Sequence, residues 1–338
     1  MPQLDLPLDQ LHRYRAELSP PDDLWEFWRS TLSFDGGPQP RFTPVDSGLV
    51  VVTTYDVVFS GYGGHPVRAW LHLPATRGDA PLPGVVQYMG YNGGRGLVHE
   101  HVFWACAGYA HLVVDTRGQG SGWTVGDTAD PVGTGPAQPG FLTRGIDDPH
   151  DHYYRRVYAD AVRAVEVLRS HPSVDSGRIA VTGVSQGGGL ALAASVLAGL
   201  DGRSASSRAE PVAAVMPDVP FLCDFARAAR IATGDPYAEI ARYLGAHRGA
   251  SERVFRTLSY FDAAVLAAAG RAPALFSVAL MDTICPPSTI FGAFHSYAGP
   301  KDIMVYEFNN HEGGEAWHRT RQLTWLAATL ADPREAPQ

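Results

Sequence analysis

From residue 82 onward the chain keeps one rhythm: short apolar runs alternate with segments long enough for helices. The strand candidates are 83–89, 109–114, 178–182, 212–216, 273–280 and 302–307. Helix candidates lie near 98–106, 154–170, 187–199, 221–230, 286–297 and 315–330. A strand followed by a crossover and another strand implies a mostly parallel central sheet, buried on both faces by helices. Upstream, residues 49–75 alternate apolar and polar around the turn GYGG, which predicts a hairpin. Residues 1–35 read as an N-terminal helical arm broken by Pro20-Pro21, with Asp22 or Asp23 as an N-cap candidate. Two segments leave the rhythm. Residues 118–153 are rich in Gly, Pro, Asp and Thr and predict a long loop. Residues 220–262 predict a helical insertion. Loops of that length are usually functional or disordered. The expectation is one domain over 1–338.

Composition excludes several classes of partner. Net charge is −8, from 27 basic and 35 acidic residues, against the basic face that nucleic acids and anionic membranes require. The N-terminal residues lack the apolar core of a signal peptide, and no stretch has the length of a membrane span. Cys106, Cys223 and Cys285 are few and widely spaced, which reads as reduced thiols in a cytoplasmic protein rather than a disulfide framework.

One short stretch carries chemistry. Gly183-Val184-Ser185-Gln186-Gly187 matches G-x-S-x-G, with a strand-like run before it and an apolar helix-like run after it. In that setting the serine stands on a strained strand-to-helix turn, and the small residues on either side let helix and strand approach. The helix N-terminus favours a developing negative charge. The alternative for the pattern alone is a Gly-rich turn without chemistry.

A serine nucleophile needs a base, and the base an orienting carboxylate. In open α/β sheets such groups lie just past strand C-terminal ends. Asp282 follows the 273–280 strand, and His311 follows the 302–307 strand in the loop FNNHEGGE. The order Ser185, Asp282, His311 is the one expected for this architecture. Rivals fit less well: Asp302 is at the wrong end of a strand, and Asp262 reads as a helix cap. His295 and His318 lie within helices, and Asp115 precedes the serine. A zinc site in HEGGEAWH lacks the H-E-x-x-H spacing, and Gly313-Gly314 break the helix, so no metal is expected. Cys285, beside a proline pair, is a poor nucleophile candidate. The Gly-rich stretch VVQYMGYNGGRG at 85–96 offers a second oxyanion donor, the Tyr91 N–H, beside the N–H of Gln186.

Several motifs resemble one family together. TRGQG (Arg117, Gln119), GVSQGG (Ser185), HEGG (His311, Glu312), GYNGGRG, PFLCDF, YYRRVYADAVRAVE and MDTICPPST, over about residues 8–330, resemble carbohydrate esterase family seven, the acetyl xylan esterase and cephalosporin-C deacetylase group. The resemblance implies an α/β-hydrolase fold and a Ser185–Asp282–His311 triad. It places the oxyanion hole at the N–H groups of Tyr91 and Gln186. The reaction implied is hydrolysis of acetyl esters of small alcohols, among them acetylated xylo-oligosaccharides, sugar acetates and cephalosporin C. It also implies a cytoplasmic hexamer and no cofactor. Arg117, Gln119 and Glu312 belong to its supporting motifs, with Arg117 expected to brace the loops through Asp115 or Glu312. Departures from the family pattern fall at Met89, His150 and His152, all expected near the pocket. A broader carboxylesterase, an acyl-peptidase and a non-catalytic binding protein on the same fold are the alternatives.

Overall fold

The computed structural model describes residues 3, 5–33, 36–132, 139–200, 210–331. Parts of the 1–35 arm, of the 118–153 loop and of the last residues of the 1–338 domain lie outside this range. Nine strands form one sheet in the order β1-β2-β3-β5-β4-β6-β7-β8-β9. They are β1 (Arg41–Val45), β2 (Val52–Ser60), β3 (Pro66–Pro74), β4 (Leu82–Tyr88), β5 (Ala110–Val114), β6 (Val174–Val184), β7 (Ala214–Asp218), β8 (Ala274–Ala279) and β9 (Lys301–Tyr306). β1, β2, β3 and β5 are antiparallel in succession, and β5-β4-β6-β7-β8-β9 run parallel.

The predicted burial of both faces appears residue by residue. Val86, Val181, Val215 and Phe276 face the larger core, whereas Val85, Ala180, Ala214 and Leu275 face a second, smaller one. Consecutive strand residues point to opposite faces, so a strand buried on both sides must be apolar throughout. Over the larger core lie α4 (Tyr153–Ser170), α5 (Gln186–Leu197) and α10 (Pro287–Ser296), and over the smaller lie α3 (Phe103–Cys106) and α11 (Glu315–Thr329).

The N-terminal arm holds α1 (Leu8–Leu11) and α2 (Leu24–Leu32). Asp23 takes the N-cap position of α2 but makes no capping bond; its carboxylate accepts from the Tyr260 hydroxyl at 2.6 Å instead. Trp28 is fully buried, stacks on Tyr158 of α4 and donates to the Tyr260 carbonyl at 3.1 Å. The insertion extends beyond the predicted 262. It comprises α6 (Phe225–Ile231), α7 (Ala238–Ala246), α8 (Ser251–Ser259) and α9 (Ala263–Ala267), all between β7 and β8. Asp262 caps α9 as expected, accepting from Ala264 N at 2.9 Å.

Two elements depart from the sequence reading. β1, RFTPV, is an edge strand with a proline, a position where the missing N–H costs nothing and the sequence signal is weak. The helix expected over 98–106 shrinks to α3. Gly96 has φ +67°, and the Glu100 carboxylate accepts from Leu97 N at 2.7 Å, which holds the segment before α3 in a turn.

Candidate active site

Ser185 sits between β6 and α5 with φ +59° and ψ −120°, a left-handed conformation that a residue with a side chain rarely adopts. The turn is held by backbone bonds: Ser185 N donates to the Asp218 carbonyl at 2.9 Å, and Phe221 N donates to the Ser185 carbonyl at 2.9 Å. The flanking glycines are required sterically. A Cβ on Gly183 would lie 2.4 Å from the Gly187 backbone, and one on Gly187 would lie 2.2 Å from the Tyr88 carbonyl oxygen. The G-x-S-x-G pattern is therefore the condition for β6, α5 and β4 to approach.

The loops after β8 and β9 bring Asp282 and His311 together. His311 Nδ1 lies 2.8 Å from Asp282 Oδ2. The other carboxylate oxygen, Oδ1, accepts from the N–H groups of Ile284 and Cys285, each at 2.8 Å. Two bonds tie the loops to each other: Thr283 N to Asn310 Oδ1 at 3.1 Å and Met281 N to the Asn309 carbonyl at 3.1 Å. Asp282 is thus oriented on one side by its own loop, and its second oxygen is aimed at the imidazole. Ser185 and His311 line the same cavity of about 710 Å³, which also receives Met89, Tyr91, Trp123 and Ile284.

Of the two residues named as oxyanion donors, Tyr91 lines this cavity, and Gln186 follows the cavity-lining Ser185 directly. Gln186 opens α5, where no preceding helical carbonyl can accept its N–H. Among the described residues, neither this N–H nor that of Tyr91 has an intramolecular acceptor. The Tyr91 ring packs edge-on against Phe141 and Phe221.

The sequence motifs resolve into separate braces. Gln119 Oε1 accepts from Asn92 N at 2.6 Å, and its Nε2 donates to Tyr153 Oη at 3.1 Å and to Gln186 Oε1 at 2.9 Å. Gln186 Nε2 in turn donates to the Met89 carbonyl at 3.2 Å. This buried amide pair joins the loop after β4 to the start of α5, the two places that carry the candidate donors. Arg117 is 1% exposed and does not pair with Asp115 or Glu312 as expected. It forks onto Asp160 of α4 at 2.5 and 2.8 Å and faces Asp130 at 3.5 Å, so its buried guanidinium is neutralised by these two carboxylates instead. Asp115 instead accepts from the N–H groups of Arg95, Asp127 and Thr128. Glu312 is exposed and only closes its own turn, accepting from Asn309 Nδ2 and Asn310 N at 3.1 Å each.

Two residues expected near the pocket lie elsewhere. His152 is the buried N-cap of α4, stacked on Phe261, with Nε2 3.0 Å from the Leu142 carbonyl. His150 is exposed and its ring meets Phe27 of the arm edge-on. Both pack against the arm and insertion side of α4. Met89 does line the cavity.

Some features went unseen in the sequence. Cys285 is buried beside the pair: Asp282, Cys285 and His311 each offer an atom that could ligate a metal, all within 4.8 Å of one another. Burial pushes the Cys285 thiol well above its ordinary range, so it stays protonated and a poor nucleophile or ligand. A second Asp–His pair borders the cavity: His318 Nε2 lies 2.9 Å from Asp218 Oδ1, and Gln322 Nε2 donates to both oxygens of Asp218 at 2.9 Å. His318 is held on its other side at 2.9 Å by the Tyr306 hydroxyl. Finally Trp123, 57% exposed, lies over Gly90 and Gly93 and donates its Nε1 to the Tyr91 carbonyl at 3.0 Å. Sequence spacing gives no sign of the Asp218–His318 and Trp123–Tyr91 contacts, whose partners lie far apart in the chain.

Comparison with known proteins shows the fold and the family. An acetyl xylan esterase of Paenibacillus sp. R4 superposes with a TM-score of 0.85 at 38% identity, over 96% of this chain and 99% of that one. Acetyl xylan esterase 1 of Thermoanaerobacterium sp. JW/SL YS485 also superposes with a TM-score of 0.85, at 28% identity over 97% and 100%. The acetyl esterase Axe7A of Xylanibacter ruminicola is 27% identical over 321 residues, covering 90% of this chain, which spans 66% of that relative's length. The structures share the α/β-hydrolase architecture expected from the sequence. The family model for acetyl xylan esterase (AXE1) matches residues 1–329, and the chain belongs to that family.

Proposed function

We propose that the protein is a serine esterase that removes acetyl groups from small acetylated carbohydrates and related alcohols. The observation that carries the reading is one cavity lined by a strained Ser185, by a His311 already oriented by Asp282 and by Tyr91, whose backbone N–H, like that of Gln186 next to the serine, has no intramolecular acceptor among the described residues. Family membership supports the acetyl group. In this reading the Ser185 hydroxyl attacks the acetyl carbonyl as His311 Nε2 takes its proton. Asp282 fixes the tautomer, with Nδ1–H directed at the carboxylate, and stabilises the imidazolium. The oxyanion is held by the N–H groups of Tyr91 and Gln186. The C–O bond to the alcohol breaks, and the alcohol leaves with the proton from His311. Water, deprotonated by His311, then attacks the acetyl-serine, and acetate leaves as Ser185 recovers its proton. None of these steps calls on a metal or organic cofactor.

Acetylated xylo-oligosaccharides, sugar acetates and cephalosporin C are the substrates the family resemblance favours. A broader carboxylesterase is the second reading, supported by the size and partly apolar lining of the cavity. Hydrolysis of para-nitrophenyl esters from acetate to octanoate separates the two. The proposal expects a steep fall beyond acetate or propionate, and Ser185→Ala should remove nearly all activity. A flat profile favours the broader enzyme, and wild-type activity in Ser185→Ala overturns the nucleophile. The resemblance also favours a hexamer, and sedimentation equilibrium at the mass of a single chain overturns that part. No helix among the described residues is long and apolar enough to cross a membrane.

A further inference from the structure

We propose that Glu239, on α7 of the insertion, is a positioning residue that sets the Tyr91 N–H in place for the oxyanion and makes that placement depend on its own charge. The proposal rests on the oxyanion role given to Tyr91 above. Its observation is a buried clamp built on one carboxylate. Glu239, 2% exposed, accepts from the Tyr91 hydroxyl through Oε1 at 2.5 Å and from Leu142 N through Oε2 at 3.0 Å. The Tyr91 hydroxyl itself accepts from Phe141 N at 2.6 Å. Gly140, at φ +123°, leaves no room for a side chain: a Cβ there would lie 2.1 Å from the carboxylate. One carboxylate therefore joins α7, the 140–142 backbone and the loop after β4. The Tyr91 ring then meets Phe221, whose N–H holds the Ser185 carbonyl. With the phenol fixed at its far end, the Tyr91 backbone has little freedom to rotate its N–H out of the cavity. A displacement of about 1 Å at such a donor can cost about a hundredfold in rate.

The charge matters because both partners of the carboxylate are donors. The ionised form accepts from both. Adding a proton to either oxygen turns one of the two acceptors into an O–H, so the carboxyl no longer accepts equally from the Tyr91 hydroxyl and from Leu142 N. Burial raises Glu239 to about 7 despite the bonds from Tyr91 and Leu142, so the change falls near neutrality. The groups facing it are Tyr91, Tyr154 of α4, and Asp235 and Arg242 from its own segment; the 140–142 segment presents backbone N–H.

The test is steady-state kinetics on para-nitrophenyl acetate across pH 5–9 for the wild type, Glu239→Gln and Tyr91→Phe, with unfolding midpoints measured in parallel. The expected result is a fall in kcat of about ten- to a hundredfold in both variants, with KM within about twofold. The acid limb of the wild-type kcat profile should be steeper than that of Glu239→Gln, which has lost the Glu239 carboxyl. Tyr91→Phe removes a single hydroxyl and keeps the test open if Glu239→Gln folds poorly. Wild-type kcat in both variants overturns the proposal, as does a loss of kcat that follows stability with the acid limb unchanged. Wild-type activity in Ser185→Ala would overturn the nucleophile and the oxyanion placement beside it, and the proposal falls with that reading; an inactive Ser185→Ala with wild-type kcat in Glu239→Gln and Tyr91→Phe overturns the clamp alone.

Discussion

Ser185, Asp282 and His311 could be read from the sequence because each is punctuated. A glycine pair brackets the serine, and the other two follow apolar strand runs directly. Glu239 could not be read, because a glutamate inside AEIARYLGA looks like any solvated helix residue until the fold buries it. The role of His152 is hidden for a related reason: histidine is not among the usual N-cap residues, so the sequence does not show its place at the head of α4. Two expectations belong at this scale. Asp282→Asn should keep the fold and lower kcat by about 10⁴-fold, since the imidazole loses its orienting partner; esterase kinetics check it. Gly187→Ala should destabilise by about 1–3 kcal/mol in urea unfolding, because its methyl meets the Tyr88 carbonyl rather than a yielding side chain.

Among the elements, the parallel strands were legible because burial on both faces demands uninterrupted apolar runs. β1 was not, since an edge strand with a proline carries neither alternation nor an apolar run. The long loop at 118–153 was recognised as irregular, yet its role emerged only from contacts made across the fold. Gln119 meets Gln186, and Asp130 pairs with Arg156 of α4 at 2.8 Å while facing Arg117. The arm shows the same limit. Its helical character was plain, but not that Trp28 would be sealed between α4 and the segment joining α8 to α9. Trp28→Ala should cost about 3–5 kcal/mol of stability, measured by denaturant unfolding, through the lost packing and the carbonyl bond left unmade.

Across the whole molecule, buried ionisable groups oppose one another in acid. Burial lowers His72 and His152 to about 4, and His111 lies well below its ordinary value for the same reason. These histidines bind protons more readily unfolded, so the stability they contribute is full above about 6.5 and is lost as pH falls toward 4. Burial raises Glu239 and Asp262 to about 7. These carboxyls bind protons more readily folded, so acid favours the fold between about 7 and 4.5. The two sets largely offset. Glu239→Gln removes one carboxyl, and between pH 7 and 4.5 its unfolding free energy should fall by about 3 kcal/mol more than that of the wild type. Urea unfolding at the two pH values measures it. The arm carries a different consequence. Trp28 finds its carbonyl partner 232 residues later in the chain. At ribosomal rates of about 5–20 residues per second, that is a wait of about 10–50 s. Until Tyr260 and Phe261 emerge, the faces of Phe27 and Trp28 that they cover stand open on the nascent chain, and it is there that a chaperone would find its handhold.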